Sequence, residues 1–214
     1  MPKNKFICSD CLKGLKPTTK FICANCSAKT INGKTCINCK NNCPLDRFFS
    51  LYPYDNETVK EIIHAFKYRF IKDLAPTVDK FTSTYISNND ITETLSAVDF
   101  IEAVPLTRVR FNWRGYNQSE LIAHGISKII NKPLIYSLKR KGLLSVPQAE
   151  IKDHIQRTKN VKNLFTCKSQ LEIKNKTLLL VDDVYTSGAT MQECARVLKD
   201  AGAKEVWGFA IARG

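Results

Sequence analysis

The densest chemistry in the chain lies in nine residues, Asp182-Asp183-Val184-Tyr185-Thr186-Ser187-Gly188-Ala189-Thr190. Two adjacent carboxylates precede a run of small and hydroxyl residues around Gly188. Small side chains such as Gly188 and Ala189 let backbone N–H groups close on an anion, and glycine permits tight curvature. Thr186, Ser187 and Thr190 can donate hydroxyl hydrogen bonds to phosphate oxygens. The acids suit the other end of a sugar phosphate. They can accept from the 2′- and 3′-hydroxyls of ribose and can hold Mg²⁺ directly or through water. The segment reads as a site for a ribose 5-phosphate, with Asp182 and Asp183 at the reacting end. No Gly-Lys-Ser/Thr follows and no lysine lies inside the loop, so it is not a P-loop.

A second basic segment fits the same task. Val104-Pro105-Leu106-Thr107-Arg108 leaves a predicted strand, and Thr107 and Arg108 could cradle a pyrophosphate. Arg110 and Arg114 follow, then Gly115-Tyr116-Asn117-Gln118. Three arginines could neutralise a diphosphate as it leaves. Aromatics among arginines also suit stacking on the bases of single-stranded nucleic acid. Gly115 suggests a mobile loop.

Nine cysteines are present, and seven lie between positions 8 and 43. They form Cys8-x-x-Cys11, Cys23-x-x-Cys26 and Cys36-x-x-Cys39, with Cys43 beyond. Two facing C-x-x-C turns supply the four thiolates of a structural zinc site, with no position left for catalysis. The favoured set is Cys23, Cys26, Cys36 and Cys39. Cys8 and Cys11 with Cys23 and Cys26 form an alternative, and a second site completed from elsewhere is a third. His64, His124 and His154 are far from the cluster in sequence and read as surface or partly packed residues.

The elements that must position these groups follow from periodicity. Leu178-Leu179-Leu180-Val181 is a continuous apolar run, the mark of a strand buried on both faces in a parallel sheet. Met191, Cys194, Ala195, Leu198 and Ala201 then form a helical stripe, stopped at Gly202. The phosphate loop therefore feeds a helix N-terminus, whose N–H groups and dipole favour an anion. Val206 to Ala212 reads as the next buried strand. Upstream, Asp55-Asn56 offers caps for a helix bearing Val59, Ile62, Ile63, Phe66 and Phe70, ending in the basic turn Lys67-Tyr68-Arg69. Phe100 to Val104 reads as a strand and Ser119 to Ile130 as a helix. Leu134 to Leu138 reads as a short strand. Strand–loop–helix–strand order implies an α/β fold with a doubly wound parallel sheet. The division is a cysteine-rich module over 1–47 and an α/β domain over 48–214.

Composition sets the outer bounds. The chain has 214 residues, 43% hydrophobic and 25% charged, enough for a packed core. No apolar run approaches the roughly 20 residues that span a bilayer, and Met1 to Cys8 lacks the apolar stretch of a signal peptide. A cytoplasmic location is expected, with peripheral attachment at the inner face of the membrane compatible. The net charge is +13. Residues 1–50 hold nine Lys/Arg against two Asp/Glu, a balance that favours polyanions such as nucleic acid. With no segment after Gly214, any acceptor would be selected by the N-terminal half.

The run from Leu178 to Thr190 resembles the 5-phosphoribosyl-1-pyrophosphate (PRPP) signature of type I phosphoribosyltransferases. Together with Arg114-Gly115-Tyr116-Asn117-Gln118, the cysteine module and a Gln148, Arg157, Asn160, Phe165 stretch, the chain is similar to the ComF family of competence proteins. That resemblance implies a phosphoribosyltransferase-like body, a zinc finger and a role in natural transformation. It also implies a helicase partner that helps draw single-stranded DNA into the cell. Two readings stay open: an accessory DNA-uptake protein that binds PRPP, and a catalytic phosphoribosyltransferase that displaces Mg²⁺-bound pyrophosphate from ribose C1 with a nucleobase or related acceptor.

Overall fold

The computed structural model describes residues 7–69, 71–141 and 161–214. Phe70, Gln148, His154, Arg157 and Asn160 lie outside the described residues.

Five strands form one parallel sheet. They are β1 (Arg47–Pro53), β2 (Phe100–Ala103), β3 (Leu134–Ile135), β6 (Thr177–Tyr185) and β7 (Glu205–Arg213). The order is β1-β7-β6-β2-β3. Leu178, Leu179, Leu180 and Val181 are all fully buried because helices and the cysteine segment cover both faces. Successive side chains point to opposite faces. Leu179 and Val181 join the core that includes α2 (Glu57–Tyr68), α3 (Ala75–Asn88) and α6 (Gln118–Ile130). Leu178 and Leu180 join the opposite core with α8 (Ala189–Asp200). Burying each such side chain is worth about 1.5–3 kcal/mol, which explains why an unbroken apolar run is selected here.

That second core also contains Cys23, Ala24, Cys39, Cys43 and Leu45. The cysteine segment thus packs as part of the layer beside α8. α1 (Ser9–Gly14) precedes it, and α4 (Thr92–Ser96) leads into β2.

The helix caps are those the sequence offers. Asn56 caps α2 by accepting from Val59 N at 3.1 Å, worth about 1 kcal/mol. Gly202, at φ +98°, follows α8. Two expectations change. Leu134 to Leu138 is not one strand: β3 stops at Ile135, and β4 (Leu138–Arg140) pairs antiparallel with β5 (Phe165–Cys167) in a separate ribbon. Buried Glu102 on β2 makes the break, since Ser137 N donates to its carboxylate at 2.7 Å, the Ser137 hydroxyl at 2.6 Å and Leu138 N at 3.4 Å. The Gly115 segment is not a loop: Arg108–Arg114 is helix α5, and Gly115 closes it at φ +73°. A short helix α7 (Gln170–Ile173) leads into β6.

Chain direction creates the crevice. After β2 the chain moves outward to β3; after β6 it moves the opposite way to β7. In open α/β sheets, ligands bind where neighbouring strands send their connections apart. β6 also outruns β2: Ala103 pairs with Val181, the last β2 residue in register. Asp182 and Asp183 therefore stand beyond the end of their neighbour.

Candidate functional site

A cavity of about 760 Å³ opens at this crevice. Asp182, Asp183 and Thr186 to Met191 form one wall. Lys67, Arg110, Arg114 and Arg140 face it from α2, α5 and β4. The acids lie inside β6, not past its tip, because β6 continues to Tyr185 along β7.

The acid pair is held tightly. Asp182 Oδ1 accepts from the Ser119 hydroxyl at 2.8 Å and from Asp183 N at 2.9 Å. Burial, and then the neighbouring Asp183 carboxylate, push Asp182 up to about 7 against the pull of Lys67 and Ser119. Lys67 Nζ lies 3.0 Å from Asp183 Oδ1. Burial pulls the Lys67 ammonium down, but the two carboxylates outweigh it and the net direction is up. The sequence reading gave the acids a second task, holding Mg²⁺. In the structure the Asp183 carboxylate is already ion-paired to Lys67, so the pair does not fit as a free divalent-ion site.

The hydroxyl loop turns on Gly188, at φ +72° as the N-cap of α8. A Cβ there would collide with the Tyr185 ring. Tyr185 leans the other way on the cysteine segment: its hydroxyl donates to Ala24 O at 3.2 Å and accepts from Gln192 Nε2 at 2.9 Å. Arg213 donates to Cys23 O, Ala24 O and the Ser27 hydroxyl at 3.1, 3.1 and 2.9 Å. The phosphate loop and the cysteine segment therefore share a wall.

The arginine segment differs from expectation. Thr107 is buried and accepts from Arg110 N as the cap of α5, and Arg108 is exposed; neither lines the cavity. Tyr116, Asn117 and Gln118 are buried, and of the three Gln118 lines the cavity. Tyr116 donates to Phe66 O at 2.6 Å, Asn117 to Val104 O at 3.0 Å, and Gln118 accepts from Arg114 Nη1 at 2.9 Å. These polar residues lock α5 and α6 onto the body. Arg110 and Arg114 do reach the cavity. Arg114 is 8% exposed, and its buried Nε has no hydrogen-bond partner among the described residues. The exposed rings beside it are Tyr68 and Trp113, with centroids 6.1 Å apart, and His64 lies 4.7 Å from Tyr68.

Sequence reasoning missed Lys67 as the partner of Asp183, and missed Ser119 and Arg140. A signal existed for the first: Glu57, Lys60, Glu61, His64, Lys67 and Tyr68 recur at three- and four-residue spacing on the polar face of α2, and all line the cavity. Arg140 gave no signal, since its place depends on the ribbon that Glu102 and Ser137 create.

The cysteine site assembles the favoured set. The Sγ atoms of Cys23, Cys26, Cys36 and Cys39 lie within 4.8 Å of one another; a tetrahedral Zn²⁺ with Zn–S near 2.3 Å needs about 3.8 Å. Cys8 and Cys11 are exposed and outside the group. Burial pushes the Cys23 thiol up, but backbone N–H groups of Cys26, Cys36 and Asn25 outweigh it and bring it down to about 6. Asn25 Nδ2 donates to Cys39 Sγ at 3.4 Å. Four sulfur donors with N–H support can hold a metal ion, and thiolates suit zinc.

With this geometry, the class is defined: residues 94–212 match the phosphoribosyl transferase domain family, and the chain belongs to it. Within that class it is similar to competence protein F of Haemophilus influenzae, 27% identical over 96% of this chain and 90% of that one. It is also similar to competence protein ComFC of Bacillus subtilis, 26% identical over 97% and 84%. The DNA utilization protein YhgH of Escherichia coli is 27% identical over 68% of this chain and 64% of its own length. Among the described residues no helix is long and apolar enough to cross a membrane.

Proposed function

We propose that the chain is a DNA-uptake protein that holds PRPP or a related ribose phosphate in the cavity at β6 and handles single-stranded DNA on the cytoplasmic side of the membrane. One observation carries the reading: an acid pair, a hydroxyl loop and a helix N-terminus share one wall, with Arg110, Arg114 and Arg140 opposite. The 5-phosphate takes the N–H groups and hydroxyls of Thr186 to Thr190 at the start of α8. Asp182 and Asp183 receive the ribose hydroxyls. The arginines receive the pyrophosphate, and Mg²⁺ travels with that group. Zinc on Cys23, Cys26, Cys36 and Cys39 fixes the wall behind Tyr185.

The names of the relatives support the DNA role, and so does the His64, Tyr68 and Trp113 ledge beside basic residues. Stacking on such rings contributes about 1–3 kcal/mol per base. The working partner is then a helicase of the uptake machinery. The converging arginines also suit a leaving pyrophosphate, which makes phosphoribosyl transfer to a base the second reading.

Calorimetry with PRPP and ribose 5-phosphate tests the pocket. Micromolar-to-millimolar binding is expected, weakened at least about 30-fold by Asp182→Asn/Asp183→Asn; unchanged binding by the double variant contradicts the site. For DNA, a shift assay across salt should show affinity falling as salt rises. Trp113→Ala/Tyr68→Ala should lose about tenfold without affecting ribose 5-phosphate; salt-independent or unchanged binding contradicts the ledge. Pyrophosphate release from PRPP across a panel of bases separates transfer from binding.

A further inference from the structure

The acid pair carries its own counter-ion. Lys67 comes from the last turn of α2, far upstream of β6 in sequence, yet its ammonium sits 3.0 Å from Asp183 Oδ1. The two side chains are 23% and 11% exposed, so the pair is largely withdrawn from water, where screening is weak. Asp182 is engaged separately, by the Ser119 hydroxyl and the Asp183 amide. A divalent ion on these carboxylates would have to displace the ammonium or sit beside it. Two cations a few ångströms apart in a shielded cleft repel strongly. Arg114 adds a further buried positive charge facing the same carboxylate.

We propose that Lys67 is the resident cation of the acid pair, a specificity-determining residue that makes ribose recognition at Asp182 and Asp183 independent of a metal ion. The specificity part rests on the ribose-phosphate reading above; the cation part does not. Lys67 neutralises Asp183 and presets it to accept ribose hydroxyls. A divalent ion then matters only for a ligand that brings a pyrophosphate. The pocket therefore takes a plain ribose 5-phosphate without metal and takes PRPP better with it.

The test uses the full zinc-loaded chain, so that the thiolates are occupied. Mn²⁺ titration followed by electron paramagnetic resonance is the first arm. Wild type should show no Mn²⁺ site tighter than about 1 mM. Lys67→Gln and Lys67→Met should each gain one site, which Asp182→Asn/Asp183→Asn then removes. Lys67→Arg, which keeps the charge, should behave as wild type. Calorimetry with ribose 5-phosphate is the second arm: added Mg²⁺ should leave wild type within about twofold and improve Lys67→Gln about tenfold. A tight Mn²⁺ site in the wild type that the acid-pair substitutions remove overturns the cation assignment. So does a Lys67→Gln variant, folded by circular dichroism, that gains no site. Wild-type ribose 5-phosphate binding that requires Mg²⁺ overturns the specificity role. If no variant binds ribose 5-phosphate, the ligand reading falls, and the Mn²⁺ arm still decides the cation assignment.

Discussion

The cysteine cluster and the acid pair solve one electrostatic problem in opposite ways. Both concentrate anionic donors in a small volume. Four thiolates at Cys23, Cys26, Cys36 and Cys39 have backbone and amide N–H support, and Arg213, whose charge reaches Cys23 and Cys26, donates to the Cys23 and Ala24 carbonyls and the Ser27 hydroxyl instead. Asp182 and Asp183 have Lys67, Ser119 and an amide. The first can take an ion from outside; the second brings one in through its own fold. A site that must change ligands benefits from a counter-ion that cannot diffuse away, whereas a site that only has to hold a fold together can depend on metal.

The largest expected effect follows from the first half of that contrast. Structural zinc contributes on the order of 10 kcal/mol to folding in small modules. Chelation, or Cys23→Ser/Cys26→Ser, should lower the melting temperature by about 10 °C or more. It should also weaken ribose 5-phosphate binding, because Tyr185 and Arg213 rest on the backbone of Cys23 and Ala24. Thermal denaturation with and without chelator reads the first and calorimetry the second. An unchanged melting temperature would show that the thiols are held without metal, and would erase the contrast.

A smaller effect tests the second half. Asp182 is raised from an ordinary 3.8 to about 7 by burial and by Asp183. The folded state therefore holds this proton more tightly than the unfolded chain. The contribution is fully present below about pH 4 and declines as pH rises towards 7. Asp182→Asn keeps an oxygen to accept the Ser119 hydroxyl and removes the titration. Its melting temperature should exceed wild type by about 2–4 °C at pH 8, the shift that roughly 1 kcal/mol makes in a chain of this size. The gap should close at pH 4. A gap of equal size at both pH values would mean that Asp182 carries no such cost.

The same contrast explains what the sequence revealed. Local signals carried the phosphate loop: apolar run, acids, hydroxyls and helix stripe are contiguous, and the structure keeps them in that order over Thr177–Asp200. C-x-x-C spacing carried the cysteine set, although only the folded chain separates Cys8 and Cys11 from it. The arginine segment was legible as chemistry but not as exposure. Tyr116 and Asn117 are polar residues spent on holding α5 and α6 against Phe66 and Val104, while Gln118 also lines the cavity, and no local pattern distinguishes the two uses. Lys67 lies on a polar face of α2 that the sequence spacing marks, whereas Arg140 reaches the cavity through tertiary packing alone. Ser137 and Glu102 meet across 35 residues, which is why one expected strand became two.

The central claim is that a ribose phosphate sits between the acid pair and the hydroxyl loop. Its most direct measurement is difference electron density in crystals of the zinc-loaded chain soaked with ribose 5-phosphate. The phosphate should lie on the backbone N–H groups of Ser187 to Thr190, with the 2′- and 3′-hydroxyls towards Asp182 and Asp183. Phosphate density on Arg110 and Arg114 with the loop empty, or sugar hydroxyls turned away from the acids, would contradict it.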